Sequence, residues 1–391
     1  MSRTKITTAS AIFKSAAVIL GLLIAIGGIA LVLNWTFLRR IFTYPDNPIT
    51  DVDWYQPRET VKGNVVKLPE AQPTIDRSTL NKISAYARSA DSSALLVMHR
   101  GELVLEQYWQ GFKPTSTFNS MSMSKTITAL LTGIAIEEGQ IESEITPVAN
   151  YISEWQGHLD RITVRDLLYM QSGLRNWDSK ENPTSDLIRM YASPDADAVA
   201  LKIPAKRPPQ QAFNYNNANT QILSKVIERA TGIRYAEYLQ NKLWQPLQAN
   251  DAFLWLDRSN GNPKAFCCLF ATPRDWAKVG QLFLDRGQVN GKQIVSAEWL
   301  DKMQQPSSLN PQYGYHLWLK ARTDNKSEFG DRDASQPFTA EDIFYLDGAS
   351  KQRVYIIPSQ ELVIVRIGEQ PRQWDDSVIP NTLVESLQLN N

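Results

Sequence analysis

Histidine and cysteine are scarce in this chain of 391 residues, which has three histidines and two cysteines. His99, His158 and His316 are scattered, and no spacing among them or nearby carboxylates matches a metal site. Cys267 and Cys268 are adjacent, and neighbouring cysteines rarely form a disulfide because their Cβ vectors usually diverge. We therefore expect no metal and no cofactor, and we expect both cysteines to be buried as small apolar residues.

An excess of charge of one sign is also missing, because 41 basic and 41 acidic side chains balance to a net charge of zero. Without a basic excess, nucleic acid is not expected as a partner. Apolar residues make up 43% of the chain, which is a globular composition. The length is sufficient for one large domain or two intermingled ones.

Residues 16–33 form an uncharged apolar run that is nearly long enough to cross a bilayer. Trp35 and Phe37 follow it, where aromatic residues gather at a membrane interface. No convincing small-residue cleavage site follows, so a retained transmembrane helix over residues 15–38 is expected rather than a signal peptide. The flanking basic residues slightly favour a single-pass protein of the cell membrane, with its main domain outside the cytoplasm, in the periplasm.

The rest of the chain divides by composition and by apolar periodicity. Strand-like runs near residues 94–108 and 344–367 lie on either side of a helical middle, which predicts an α/β body of the α+β type with an inserted helical domain. We expect a basic tail over residues 1–14, a proline-rich linker over 39–74 and a folded domain over 75–391, with a helical subdomain at about 141–265.

Residues 122–138 predict one helix, because most of their apolar positions follow helical spacing. Ser122 and Lys125 are three apart and therefore share a face of its first turn. Partial desolvation would lower the pKa of a lysine there and let it act as a base on the serine. The spacing alone favours an ordinary N-cap serine and a solvated lysine, since the same Ser-x-x-Lys pattern recurs at residues 2–5.

Tyr215, Asn216 and Asn217 form the only Tyr-x-Asn in the chain, just before a predicted helix. A tyrosine close to a lysine and a serine can relay a proton, because a neighbouring ammonium lowers the pKa of its phenol. An ordinary packed tyrosine before an asparagine N-cap is the alternative interpretation.

In combination, these motifs resemble the serine β-lactamase and penicillin-binding-protein superfamily. The resemblance is strongest to class C-related hydrolases of the 6-aminohexanoate-dimer hydrolase and family VIII esterase type. It covers the chain from about residue 76 to its end and implies the antiparallel sheet flanked by helices of the β-lactamase/transpeptidase-like fold. The matching stretches, in the family's order, are residues 120–125, 167–174, 185–190, 215–217, 271–280 and 348–352.

The resemblance also implies roles for individual residues. Ser122 would be the acylated nucleophile and Lys125 would take its proton. Tyr215 would pass the proton to the leaving group and help to activate the deacylating water. Asn217 would hydrogen-bond Lys125 or the substrate. The oxyanion hole would be the backbone N–H of Ser122 with that of Ala349, on an edge strand.

One departure from the superfamily concerns its third motif, often Lys-Thr-Gly, where this chain has Leu346-Asp347-Gly348. A leucine cannot bind a substrate carboxylate and an aspartate would repel one, whereas Gly348 would still allow a substrate backbone to approach the strand. Lys351 could compensate for the missing lysine. Two other residues, Trp177 and His316, could line the pocket, although packing is the favoured explanation for each of them.

Three functions follow as hypotheses. The first is a membrane-anchored serine hydrolase, an esterase or amidase acting on small-molecule esters or amides. The second keeps the nucleophile but acts on cell-wall peptide or β-lactam, as a penicillin-binding DD-peptidase or β-lactamase. The third is a membrane-tethered receptor that uses the fold without turnover.

Overall fold

The computed structural model of the chain describes residue 28 and residues 34–177, 182–323 and 333–389. Most of the predicted anchor over residues 15–38 therefore lies outside the described residues, as does the predicted basic tail. No helix in the described ranges combines the length and the apolar character needed to cross a bilayer.

Strands and helices are numbered separately in chain order. The strands are β1 (Arg58–Val61), β2 (Ser92–His99), β3 (Glu102–Tyr108), β4 (Phe118–Asn119), β5 (Ala252–Trp255), β6 (Leu269–Ala271), β7 (Gln288–Val289), β8 (Lys292–Gln293), β9 (Phe344–Gly348), β10 (Gln352–Ile357) and β11 (Leu362–Gly368). The helices are α1 (Trp35–Phe42), α2 (Arg77–Ser89), α3 (Ser124–Glu137), α4 (Val164–Leu168), α5 (Asp186–Ala192), α6 (Ala196–Leu201), α7 (Asn217–Thr231), α8 (Tyr235–Leu239), α9 (Pro273–Leu284), α10 (Ala297–Met303) and α11 (Val378–Leu389).

The central sheet is antiparallel and combines strands from both ends of the folded domain, in the order β3-β2-β11-β10-β9. β2 and β3 form a hairpin at the predicted run near residues 94–108, and the three C-terminal strands lie at the predicted run near residues 344–367. Alternate residues of β11 face opposite sides: Val363 and Val365 enter one hydrophobic core and Ile364 enters the other. β9 lies at the edge of this sheet.

Helices cover both faces of the central sheet. On one face, α2 and α11 contribute apolar side chains that include Leu80, Ile83 and Leu383. On the other face, α9 packs so closely that a Cβ added to Gly280 would lie 2.4 Å from Val363 Cγ1. The structure thus has the predicted α/β body, an antiparallel sheet flanked by helices.

A mostly helical region, α3 to α8, lies between the two halves of the central sheet in the sequence. A second antiparallel sheet follows it, in the order β1-β5-β6-β4. The predicted helical subdomain at about 141–265 therefore also includes β5, because Ala252–Trp255 pairs with β1. β4 ends at Asn119 and leads directly into the candidate nucleophile.

Residues 39–74, the predicted linker, pack against the domain. Their strand β1 joins the second sheet, and Ile49 and Tyr55 are fully buried in the core. Arg40 of α1 is only 2% exposed. The prolines of this segment predict a linker, and the apolar residues between them have partners in distant parts of the chain.

Candidate active site

The residues after β4 form a tight turn that presents Ser122. Met121–Met123 is a 3₁₀ turn, and the α-helix begins only at Ser124, two residues later than predicted. The Asn119 side chain accepts a hydrogen bond from the backbone N–H of Met121 at 3.1 Å, which helps to fix the turn. Ser122 is half-buried and faces a cavity, whereas its neighbours Met121 and Met123 are buried.

Lys125 lies beneath this serine. Its Nζ donates to Ser122 Oγ at 2.9 Å and to the carbonyl oxygen of Phe266 at 2.6 Å. The side chain is only 1% exposed, so the solvated lysine of the alternative interpretation is wrong. The serine is not the N-cap of α3 either, since that position belongs to Met123. This geometry places an amine within hydrogen-bonding distance of a cavity-facing hydroxyl, as the transfer of a proton from the serine requires.

Tyr215 covers the same lysine from the loop before α7. Lys125 Nζ lies 5.1 Å from the centre of the Tyr215 ring, within the range of a cation–π contact. The loop is held from the side by Asn176, whose Nδ2 donates to the Tyr215 carbonyl at 2.9 Å and to Asn214 Oδ1 at 3.1 Å. On the other side, the Tyr215 ring stacks on Trp318. The tyrosine is therefore oriented by contacts with three separate parts of the chain.

A single segment, residues 265–269, holds the nucleophile turn from below. Besides the Phe266 carbonyl bound to Lys125, the Ala265 carbonyl accepts from Ser124 Oγ at 3.0 Å. The Leu269 carbonyl accepts from the Ser120 N–H at 3.1 Å. Both ends of the nucleophile turn are thus tied to this segment, which sequence reasoning missed because its residues lie about 140 positions away.

Cys267 and Cys268 lie within the same segment and form a disulfide with each other. They are buried, as predicted, but the expectation that neighbouring cysteines would stay unpaired is wrong. Cys268 adopts a positive φ of 71°, so the backbone departs from the extended conformation that makes adjacent Cβ vectors diverge.

The candidate oxyanion hole lies beside β9. Gly348 ends this edge strand, and Ala349 begins the 3₁₀ turn after it rather than lying in the strand as predicted. A Cβ added to Gly348 would lie 2.5 Å from the Ser120 carbonyl oxygen, so the glycine is needed for contact with the nucleophile turn rather than with a substrate. Backbone N–H groups in a first helical turn, such as that of Ser122, have no intrahelical acceptor and can bind an oxyanion.

A cavity of about 520 Å³ connects these groups. Ser122, Tyr215, Asn217 and Ala349 all line it, so the structure brings four of the predicted site residues to one space. This volume suits a small-molecule ligand. Its remaining wall is largely apolar. It includes one arginine and four aromatic residues that the sequence did not assign to the site: Arg40, Tyr44, Trp54, Tyr191 and Trp255.

Three other candidates are absent from the lining of this cavity. His316 is buried behind Lys125, where Nε2 lies 3.1 Å from Thr220 Oγ1. Burial, together with the nearby Lys125 charge, lowers the pKa of His316 to about 3, so it is neutral at physiological pH. Trp177 is partly exposed outside the cavity. Lys351 pairs with the buried Asp333. The suggestion that these residues line the pocket is therefore wrong.

The comparison with protein families gives one decisive result. The beta-lactamase family profile matches residues 77–378 of this chain. The chain belongs to the beta-lactamase family. This result confirms the resemblance drawn from the sequence motifs, and the matched range contains Ser122, Lys125 and Tyr215.

Relatives in the curated proteins include hydrolases of this family. The chain is 28% identical to 6-aminohexanoate-dimer hydrolase of Paenarthrobacter ureafaciens over 288 residues, covering 69% of each chain. It is 26% identical to teichoic acid D-alanine hydrolase of Staphylococcus aureus over 238 residues, covering 58% of this chain and 55% of the relative. The chain is a serine hydrolase, and the non-catalytic receptor hypothesis is not supported.

Solved structures show the same beta-lactamase-like fold. A Bacillus anthracis protein provisionally named a 6-aminohexanoate-dimer hydrolase superposes with a TM-score of 0.70 at 20% identity, covering 87% of this chain and 93% of its own. FmtA from Staphylococcus aureus superposes with a TM-score of 0.59 at 19% identity, covering 89% and 97%. At these identities the likeness concerns the fold.

The departure from the family's third motif has a structural explanation. Leu346 is fully buried, and Asp347 forms ion pairs with Arg322 at 2.9 Å and with Arg353. Neither Leu346 nor Asp347 lines the cavity. The expected repulsion of a substrate carboxylate by Asp347 is therefore wrong, because this side chain is neutralised and turned away. The leucine still leaves β9 without the cation that often holds a carboxylate in the superfamily.

Proposed function

We propose that the chain cleaves small ester or amide bonds through an acyl-enzyme on Ser122. The observation that carries this proposal is the 2.9 Å hydrogen bond between a buried Lys125 and a serine that faces a cavity. In the first step, Ser122 Oγ attacks the substrate carbonyl carbon while Lys125 Nζ accepts the hydroxyl proton. The N–H groups of Ser122 and Ala349 bind the oxyanion.

Tyr215 completes the cycle in this proposal. Its ring covers Lys125, so a proton on the amine can pass through the phenol to the departing alcohol or amine. The C–O or C–N bond then breaks and leaves an ester on Ser122. A water molecule enters the cavity, loses a proton to the same Lys125–Tyr215 pair and attacks the ester carbonyl carbon. The bond from this carbon to Ser122 Oγ then breaks, Oγ takes the proton back, and the acid is released. Asn217, at the first position of α7, lines the cavity where it can hold the substrate.

The test uses the full chain in detergent with 4-nitrophenyl acetate and butyrate. We expect Ser122→Ala to lower kcat by at least about a thousandfold, as loss of a nucleophile does. Ser89→Ala is the control, because this serine is exposed at the end of α2 and does not line the cavity. Intact-mass analysis should show an acyl adduct in the wild type and none in Ser122→Ala. Equal rates for wild type and Ser122→Ala would end the proposal.

A cell-wall substrate is the second candidate, because the relative at 26% identity is named teichoic acid D-alanine hydrolase. The buried Leu346 argues against penicillins and peptides that depend on the family's third-motif lysine. Fluorescent penicillin distinguishes these cases. A stable adduct that disappears in Ser122→Ala would favour a penicillin-binding peptidase over the esterase or amidase.

We further propose that residues 15–38 anchor the enzyme in the cell membrane as a single span, with the catalytic domain in the periplasm. The support is the uncharged apolar run of residues 16–33 and the slight excess of basic residues before it. Membrane fractionation of the full chain and of a chain lacking residues 1–33 tests this proposal. Recovery of the full chain in the soluble fraction would contradict it.

A further inference from the structure

The wall of the active-site cavity contains a buried cation, Arg40 of α1, which has no role in the proposed reaction. The residue is only 2% exposed, yet Arg40 lines the same cavity as Ser122. It comes from a segment before residue 77, where the beta-lactamase family match begins. Nothing in the proposed reaction uses it, so its presence in the wall needs a separate explanation.

The contacts of this guanidinium hold it in place without neutralising it. Nη1 donates to the Ser193 carbonyl at 3.0 Å and to the Ala192 carbonyl at 3.4 Å. Nη2 donates to the Leu256 carbonyl at 3.3 Å, and the group lies 4.9 Å from the centre of the Trp255 ring. These partners are neutral. Among the described residues, no carboxylate lies within ion-pairing distance of Arg40, and its buried Nε has no hydrogen-bond partner.

The acidic groups around the cavity are already engaged. Asp186 lines the cavity but is held by both Nε and Nη2 of Arg175, at 3.0 and 2.6 Å. Asp257 exerts a favourable field on Arg40 but accepts hydrogen bonds from the Ala196 and Asn262 N–H groups, at 3.0 and 2.9 Å. A buried cation whose nearest carboxylates are engaged elsewhere leaves part of its desolvation cost uncompensated.

We propose that Arg40 and the neighbouring Trp255 form an anion subsite, which binds a carboxylate carried by the ester or amide substrate. This inference rests on the proposed function. Arg40 would provide, from α1, the positive charge that β9 lacks because Leu346 replaces the lysine often found in the superfamily. A residue outside the family match would then determine specificity. An arginine suits this task because its planar group can donate two hydrogen bonds to one carboxylate.

Matched substrate pairs test the subsite in the full chain. The first pair is mono-4-nitrophenyl adipate and its methyl ester, which differ only in a carboxylate on the acyl part. The second is 4-acetoxybenzoate and its methyl ester, which place the carboxylate on the leaving group. The wild type should prefer the carboxylate member of one pair in kcat/KM, and that pair identifies the side of the scissile bond that faces Arg40.

Substitution then connects the preference to the residue. Arg40→Gln should lower the preference by about tenfold or more, which corresponds to about 1.4 kcal/mol, while Arg40→Lys restores part of it. Arg39→Gln is the matched control, because Arg39 is exposed and adjacent. No preference in either pair, or a preference that survives in Arg40→Gln, would overturn the subsite.

Two further measurements separate this inference from the proposed function and from misfolding. If even the neutral esters react no faster with wild type than with Ser122→Ala, the hydrolase proposal fails. Calorimetric binding of monomethyl adipate to Ser122→Ala, with and without Arg40→Gln, then tests the subsite directly. If Arg40→Gln does not fold, the subsite is tested by inhibition of the wild type. Monomethyl adipate should inhibit hydrolysis of a neutral ester more strongly than dimethyl adipate does. Equal inhibition by the two compounds would refute carboxylate binding.

Discussion

Replacing Lys264 by methionine should stabilise the protein, and the gain should depend on pH. Lys264 is fully buried between the Met190 carbonyl, 2.8 Å from Nζ, and the Trp255 ring, 4.8 Å away. Desolvation, with a smaller effect from the Arg40 charge, lowers the pKa of Lys264 to about 7 from 10.5. Protonation of Lys264 therefore destabilises the folded state relative to the unfolded state.

The magnitude follows from this pKa difference. A difference of about 3.5 units corresponds to about 5 kcal/mol of destabilisation once the pH is well below 7. Between pH 7 and 10.5 the unfolded lysine is protonated while the folded one is neutral, so the unfolded state binds more protons. Wild-type stability must therefore rise with pH across this window, by up to about 1.4 kcal/mol per unit. Lys264→Met lacks this dependence.

Lost hydrogen bonds reduce the net gain. Methionine cannot donate to the Met190 carbonyl, and a buried carbonyl without its donor costs about 1–3 kcal/mol. We expect Lys264→Met to exceed the wild type by about 2–4 kcal/mol in free energy of unfolding at pH 6, and to lose that advantage by about pH 9. Above about pH 8, Lys264 is then largely uncharged and leaves Arg40 as the cation of the subsite.

Urea unfolding followed by tryptophan fluorescence at pH 6, 7.5 and 9 measures these differences. Lys82→Met on the exposed side of α2 is the control and should follow the wild type at every pH. A gap between Lys264→Met and wild type that stays constant from pH 6 to 9 would refute the reasoning. So would a gap that widens as the pH rises.

Two further predictions concern the site itself. Gly348→Ala should lower kcat by about tenfold and the free energy of unfolding by about 1–3 kcal/mol, because the added Cβ would lie 2.5 Å from the Ser120 carbonyl oxygen. Unchanged kinetics with 4-nitrophenyl acetate would contradict the close contact between β9 and the nucleophile turn. His316→Gln should leave the shape of the kcat/KM profile between pH 5 and 8 unchanged, because the histidine, with its pKa lowered to about 3, does not titrate there. A wild-type limb near pH 6 that vanishes in His316→Gln would show that the histidine takes part.

The sequence predicted those parts of the fold that depend on local periodicity. The strands near residues 94–108 and 344–367 and the helix after Ser122 were predicted because apolar spacing acts over a few positions. The contact between Ser122 and Lys125 could be predicted for the same reason, because residues three positions apart on a helix lie on the same face. Tyr215 was a candidate from the Tyr-x-Asn pattern, but its place beside Lys125 followed only from the family resemblance, because nothing local brings the two residues together.

The parts that the sequence did not predict depend on contacts between distant segments. Arg40 follows an apolar run, so its position was typical of a membrane-interface cation, yet the Ser193 and Leu256 carbonyls bind it more than 150 residues away. Lys351 lies close after the glycine of the third motif, which made it a candidate pocket residue. In the structure it forms an ion pair with Asp333 instead. The spacing of neighbouring residues carries no information about such partners.

The helix that carries Arg40 also sets where the cavity would lie relative to a lipid surface. The proposed span ends at residue 38, two positions before this arginine, and two residues of α-helix extend only about 3 Å. If the span crosses the bilayer, one wall of the cavity stands at headgroup level. Amphiphiles with a buried tail and a carboxylate at the interface would then reach the enzyme by lateral diffusion within the leaflet, without first entering bulk water.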